Sequence, residues 1–236
     1  MKGVILCGGN GTRLKPLTSI VNKHLLGVYD KPMVIYPLET LKSLGIKNIL
    51  IVSGGEHIGW FTEFLGDGSA YGVELTYKVQ KSAGGIAGAL ALAKDFVGQD
   101  KVTVVLGDNI FDNSKIKIPK DLKKDEACVF LANRVDDMRR FGVLFATKDK
   151  KWIIEKPKDL KNALGAITGL YIYPPNVFDV IKKLKPSLRG ELEISDVNNH
   201  YLSKGLLCNP EFNGFWSDAG TFESLAKASE WVKKSR

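Results

Sequence analysis

Six residues near the start of the chain, Gly8-Gly9-Asn10-Gly11-Thr12-Arg13, have the types and spacing to hold a phosphate. Glycines let the backbone turn through positive φ and let main-chain N–H groups come close to an anion. Arg13 adds a permanent charge on a planar donor fork. The phosphates of a nucleotide fit such a loop, and a tight turn without a ligand is the alternative. Two familiar nucleotide loops are excluded. A P-loop needs Lys-Ser or Lys-Thr after its last glycine, where this chain has Thr12-Arg13. The dinucleotide fingerprint needs a third glycine where Leu14 stands.

Further along are two carboxylates placed for a metal. Asp108 follows the apolar run 102–106 and a glycine, and Asp218 stands in the glycine-ended segment Trp216-Ser217-Asp218-Ala219-Gly220. Two such acids can share Mg²⁺, which takes oxygen ligands and binds through one or two carboxylates plus phosphates. A turn acid or helix cap at each position fits the spacing equally well. In Glu155-Lys156-Pro157 the acid can bond vicinal hydroxyls while the lysine meets a phosphate, or the two can form an exposed ion pair. The Gln80 amide offers one acceptor and two donors, which match the O4/N3–H edge of thymine or uracil, though a polar strand end needs no such role.

These residues need a scaffold that brings them together. The apolar runs 4–7, 49–52, 75–79 and 102–106 read as strands, each closed by glycines or polar residues. Helices are expected between them over 32–44, 57–65 and 86–94, with a turn at 82–85. The second half is richer in strands, at 127–132, 142–146, 152–155 and 167–173. Helices are expected from Pro174-Pro175 to about residue 184, from 191–196 to about 205, and over 222–232. The last should dock through Phe222, Leu225, Ala226, Ser229 and Val232. Alternating strands and helices predict an α/β, Rossmann-like fold with a mixed, mostly parallel sheet and helices on both faces. Ligands of such sheets gather at the carboxyl ends of the strands, where the 8–13 loop, Gln80 and Asp108 all fall.

Composition sets the outer bounds. At 236 residues the chain reads as one domain. Apolar residues make up 44% and charged ones 25%, as in water-soluble globular proteins. Its apolar runs are too short to span a bilayer and no signal peptide opens the chain, so a cytoplasmic enzyme with no membrane partner is expected. Cys7, Cys128 and Cys208 lack zinc or disulfide spacing and suit a reducing compartment. The net charge of +8 comes from lysines without interleaved aromatics, which argues for phosphorylated small molecules over nucleic acid.

Taken in order, the motifs resemble the sugar-1-phosphate nucleotidyltransferases. The resemblance runs through the 8–14 loop, Lys23 with Leu25-Leu26, Tyr29-Asp30-Lys31-Pro32-Met33, Gln80, Gly85 and Leu106-Gly107-Asp108-Asn109. It continues through Phe141-Gly142, Glu155-Lys156-Pro157, Thr168-Gly169-Leu170-Tyr171 and Arg189-Gly190-Glu191-Leu192-Glu193-Ile194. Nearly the whole chain is covered, and the thymidylyl-transferring branch is the most similar. The resemblance implies the fold of nucleotide-diphospho-sugar transferases, with a nucleotide-binding part over about 1–110 and a sugar-phosphate-binding part over about 111–220. It implies dTTP, or UTP, and a sugar 1-phosphate such as glucose 1-phosphate as substrates, with Mg²⁺ as cofactor.

Residue by residue, the resemblance implies that Gly8, Gly9, Gly11, Thr12, Arg13 and Lys23 bind the triphosphate, and Gln80 and Gly85 the base. Asp108 and Asp218 would hold Mg²⁺. Asn109, Gly142, Glu155 and Ile167 would meet the sugar, Lys156 its phosphate, and Trp216 would flank that pocket. Catalysis would rest on Arg13, Lys23, Asp108 and Lys156. There are departures from the family pattern: Gly27 stands in place of a proline, and Ser217 and Ala219 replace leucine and threonine around Asp218. Long members of the family continue into a C-terminal helical region with a regulatory nucleotide site. The expectation here is one nucleotide site per chain, with homo-oligomerisation left open. A non-catalytic sugar-nucleotide-binding regulator is the reading of a different class.

Overall fold

The computed structural model describes residues 1–82 and 84–235; Ala83, within the turn expected at 82–85, and Arg236 lie outside them. Among the described residues nine strands share one sheet. They are β1 (Lys2–Cys7), β2 (Asn48–Gly54), β3 (Glu74–Gln80), β4 (Val102–Leu106), β5 (Ala127–Ala132), β6 (Gly142–Ala146), β7 (Lys151–Glu155), β8 (Ala163–Tyr173) and β9 (Leu207–Cys208). The order is β7-β6-β8-β4-β1-β2-β3, with β5 joined to β8 and β9 off this path.

Strand β1 lies between β2 and β4 and parallel to both, and β3 extends the parallel part. Long β8 runs antiparallel to β4, β5 and β6, which makes the sheet mixed. The chain leaves β1 for β2 on one side and returns to β4 on the other. That reversal opens a crevice at the carboxyl ends of β1 and β4, where ligands of open α/β sheets bind.

Burial explains the layers. Val4 and Leu6 of β1 face one apolar cluster with Leu90, Ile181, Val197 and Tyr201. Ile5 and Cys7 face another, with Leu38, Leu41, Phe61 and Leu65. Alternate residues of one strand therefore serve opposite faces. Helices α1 (Ile35–Ser43) and α2 (Ile58–Leu65) cover one face. The other is covered by α3 (Gly85–Ala91), α5 (Val177–Lys182) and α6 (Ile194–Ser203). No described helix is long and apolar enough to cross a membrane.

Four local expectations are corrected. Pro32 does not open α1: Lys31–Pro32 pairs with Gly27–Val28 around a turn in which Tyr29 takes φ 57°. The helix expected over 86–94 is two pieces, α3 and α4 (Lys94–Val97). Between them Leu92 and Ala93 donate to residues three back, tightening the turn. Trp216–Ser217 is a short strand against Ile110–Phe111 and not a free loop. Finally, α7 (Phe222–Lys234) buries Ala228 and Val232, while Phe222 and Ala226 face solvent. The parallel stack of Trp231 on Phe215, centroids 4.4 Å apart, helps set that rotation.

Candidate active site

The loop after β1 is shaped by its glycines. Gly9 and Gly11 take φ 94° and 59°, and Thr18 Oγ1 donates to the Gly11 carbonyl at 2.8 Å. A Cβ on Gly11 would lie 2.8 Å from Thr18 Cγ2 and 3.2 Å from Lys23 Cβ, so this glycine permits the fold-back that carries Lys23 toward the crevice. Lys23 opens a short 3-10 turn capped by Asn22, whose Oδ1 accepts from the His24 N–H at 2.9 Å and lies 2.8 Å from His24 Nδ1.

Lys23 Nζ reaches Asp108 Oδ2 at 2.5 Å. Asp108 leaves β4 after Gly107, where a Cβ would strike His24 at 2.7 Å and Cys7 Sγ at 2.8 Å. Burial by itself would raise the Asp108 carboxyl, but the Lys23 ammonium and the hydrogen bonds from Lys23 and Asn109 hold it below its usual range.

Asn109 joins this acid to the next pocket. Its Nδ2 donates to Asp108 Oδ1 at 2.8 Å, and its Oδ1 accepts from Trp216 Nε1 at 2.6 Å and from the Gly169 N–H at 3.0 Å. Strand β8 shifts register between Ile167 and Tyr171, and a Cβ on Gly169 would fall 2.4 Å from Asn109 Oδ1. The irregularity in β8 thus makes room for the amide. Asp218 follows Trp216 and pairs with Arg140, Nη2 to Oδ2 at 2.5 Å. Burial, then the Asp108 carboxylate, pushes the Asp218 carboxyl up, and Arg140 and Arg13 partly offset them.

Two adjoining cavities use these groups. The first, about 290 Å³, is lined by Gly8, Gly9, Lys23, Gln80 and Gly85. The second, about 430 Å³, is lined by Arg13, Asn109, Gly142, Ile167, Trp216 and Asp218. Asp108, Glu155 and Lys156 border both. Gly11 and Thr12 line neither, and their part is in the shape of the loop. Lys156 takes φ 47°, a conformation that costs a residue with a side chain on the order of 1–3 kcal/mol and that clusters at functional sites. Glu155 accepts from Ser195 Oγ at 2.6 Å. A Cβ on Gly142 would lie 2.7 Å from that Oγ and 3.3 Å from Glu155 Oε2, so the absent side chain keeps the pocket open.

Sequence reasoning gave no role to Arg140, Ser195, Asn198 or the Arg189–Glu193 pair, which all line these cavities. Arg189 Nη2 lies 2.7 Å from Glu193 Oε2 and 3.9 Å from Glu155. The Arg139-Arg140 dipeptide before Phe141-Gly142 was the available signal for Arg140, but only tertiary structure supplies its partner, 78 residues away.

The donor set fits a hard dication. Among the described residues no cluster of three or more His, Cys, Asp or Glu forms. The like charges of Asp108 and Asp218, which line one cavity, offer oxygen ligands, and a cation held by both would relieve the repulsion that adds to burial in raising Asp218.

A family model described as Nucleotidyl transferase matches residues 2–235. The chain belongs to the nucleotidyl transferase family. Among members of this nucleotidyltransferase family, it is 43% identical to the glucose-1-phosphate thymidylyltransferase of Neisseria meningitidis, over 99% of this chain and 83% of that protein. It is 41% identical to the protein of the same name from Mycolicibacterium smegmatis, over 99% and 82%. A Bacillus anthracis crystal structure in complex with sucrose superposes with a TM-score of 0.88 at 47% identity, covering 99% of this chain and 95% of that one. A UDP-glucose pyrophosphorylase structure at 22% identity and TM-score 0.83 shares the fold.

Proposed function

We propose that the chain transfers the thymidylyl group of dTTP to α-D-glucose 1-phosphate, forming dTDP-glucose and pyrophosphate. The observation that carries this reading is the wall shared by two cavities, with Asp108, Glu155 and Lys156 in it. One cavity takes the nucleotide and the other the hexose, so that the two reacting phosphates meet at the wall. Similarity to proteins named for this activity supports the choice of substrates.

In this reading the Gln80 amide meets the base, and the bare backbone of Gly8 leaves room for it: a Cβ there would be 3.0 Å from Gln80 Oε1. Gly85, at φ 76°, turns the chain under the base. Gly8, Gly9 and the 8–13 loop approach the triphosphate, with Lys23 neutralising it from the first cavity and Arg13 from the side of the second. Glu155, the backbone at Gly142 and the remaining Asn109 Nδ2–H hold hexose hydroxyls, while Ile167 and Trp216 shape the pocket. Lys156 takes the sugar phosphate.

A sugar-phosphate oxygen attacks the α-phosphorus of dTTP, a new P–O bond forms, and the bond to the bridging α–β oxygen breaks with its electron pair leaving on pyrophosphate. The nucleophile is already an anion, so no general base is needed. The obstacle is repulsion between two polyanions. A neutralising charge at about 4 Å offers roughly 4 kcal/mol at an effective dielectric near 20. Asp108 and Asp218 would hold Mg²⁺, which when bound neutralises charge on the phosphates as a Lewis acid. The protein's own part is positioning and fixed charge: Arg13, Lys23 and Lys156 align the reactants in a site whose dipoles are already set.

Gln80 offers uracil the same amide edge, so UTP is the second reading for the nucleotide. A matrix of nucleoside triphosphates against sugar 1-phosphates, read by pyrophosphate release, tests both. The highest kcat/KM is expected for dTTP with glucose 1-phosphate. A higher value for UTP would replace the base assignment, and release with no pair would remove the catalytic reading.

A further inference from the structure

We propose that Arg140 is the resident counter-ion of Asp218, occupying the place of the divalent cation's charge until that cation binds and displaces it. This rests on the reading of Asp108 and Asp218 as metal ligands. Asp218 has 13% of its side chain exposed and Arg140 32%, and a single contact joins them, Nη2 to Oδ2 at 2.5 Å. A carboxylate this enclosed is costly to leave uncompensated. Asp108 meets the same need through Lys23 and Asn109. Without ligands, both acids are therefore neutralised from within the protein.

Three features make Arg140 the partner that gives way. Arg13 lies near Asp218 without pairing with it: a Cβ on Gly220 would meet Arg13 Nη2 at 2.9 Å on one side and Asp218 Oδ2 at 3.4 Å on the other, and the Arg13 charge acts on the carboxylate. A dication arriving at the same carboxylate would face two guanidinium groups, and their repulsion favours release of one. Arg140 also has a second seat. Its guanidinium carbon lies 5.4 Å from the centroid of the Phe141 ring, which itself packs 4.8 Å from the ring of Trp216. An arginine displaced from its carboxylate keeps a cation–π contact there. Its neighbours are committed elsewhere: Arg139 pairs with Asp137, and Asp136 ties the loop to Lys227 of α7. The loop can stay anchored while the Arg140 side chain swings.

The experiment is a Mn²⁺ titration of the full chain without nucleotide, followed by electron paramagnetic resonance of the free ion. Arg140→Met should bind Mn²⁺ several-fold more tightly than wild type. Arg140→Lys, which keeps a cation for Asp218, should stay close to wild type. Arg140→Gln repeats the test if the methionine variant fails to fold, as judged by thermal melting. Unchanged or weaker Mn²⁺ binding in the uncharged variant would overturn the proposal, and weaker binding would mean that Arg140 orients Asp218 toward the metal. Asp218→Asn separates the two readings. Its loss of Mn²⁺ binding leaves the ligand assignment standing whatever Arg140 does, whereas wild-type binding in that variant removes the assignment and this inference with it.

Discussion

At the residue scale the site is a set of charges whose partners are fixed by contacts remote in sequence. Asp108→Asn and Asp218→Asn should each lower turnover on the order of 10²-fold or more, with melting temperature kept. Near-normal turnover in both at limiting Mg²⁺ would contradict the metal assignment. Arg13→Ala should damage nucleotide use and Lys156→Ala sugar-phosphate use, each by about 2–5 kcal/mol. Steady-state kinetics with either substrate varied checks this, and equal effects on both substrates would refute the division. His24 carries a pH prediction. Its imidazole is 1% exposed and is pushed down to about 3, chiefly by burial and then by Lys23. Unfolded, it binds a proton near pH 6.5, so between there and about pH 3 the unfolded chain holds more protons. Stability therefore falls as pH falls, by at most about 1.4 kcal/mol per pH unit from this group. In urea melts from pH 6 to 4, His24→Gln should flatten the slope, and an unchanged slope would count against it. The positions of the glycine loop, Asp108 and Lys156, after their strands and beside one crevice, were legible in the sequence because their signals are local. Arg140 was not, because nothing near it in sequence names Asp218.

At the element scale, strands β4, β5 and β6 occupy the residues that their apolar runs predicted, since continuous apolar stretches leave little choice of period. The start of α1, the break before α4 and the face of α7 depend on tertiary contacts. Pro32 is drawn into a hairpin by its pairing with Gly27, and Ser229 accepts the Tyr29 N–H at 3.2 Å, which holds α7 against that hairpin. Strand β8 is the element most tied to the site, because its irregularity admits Asn109. Gly169→Ala would place a methyl 2.4–2.8 Å from the three polar-end atoms of that amide. The expected result is a loss of about 1–3 kcal/mol of stability and a raised KM for the sugar 1-phosphate, as Asn109 is pushed from Trp216 and Asp108. Unchanged melting and kinetics would show that the strand yields and that Asn109 does not depend on it.

At the scale of the whole molecule, one sheet with a reversal beside β1 brings residues from both ends of the chain to a single crevice. The loop after β1 and Asp108 after β4 come from the parallel part, while Gly142, Glu155 and Ile167 come from β6, β7 and β8. Antiparallel pairing of β7 with β6 sets Glu155 opposite Gly142, and β8 lies on the other side of β6. The parallel architecture was legible in the alternation of strands and helices. The placement of the two cavities was not, because it depends on the pairing order of strands in the second half. In the proposed reading these cavities hold two phosphorylated substrates whose phosphates react across the shared wall. The decisive measurement is pyrophosphate release from dTTP with Mg²⁺, with and without glucose 1-phosphate. Release that depends on the sugar phosphate, matched mole for mole by dTDP-glucose, is the predicted result; no release, or release indifferent to the sugar phosphate, would contradict it.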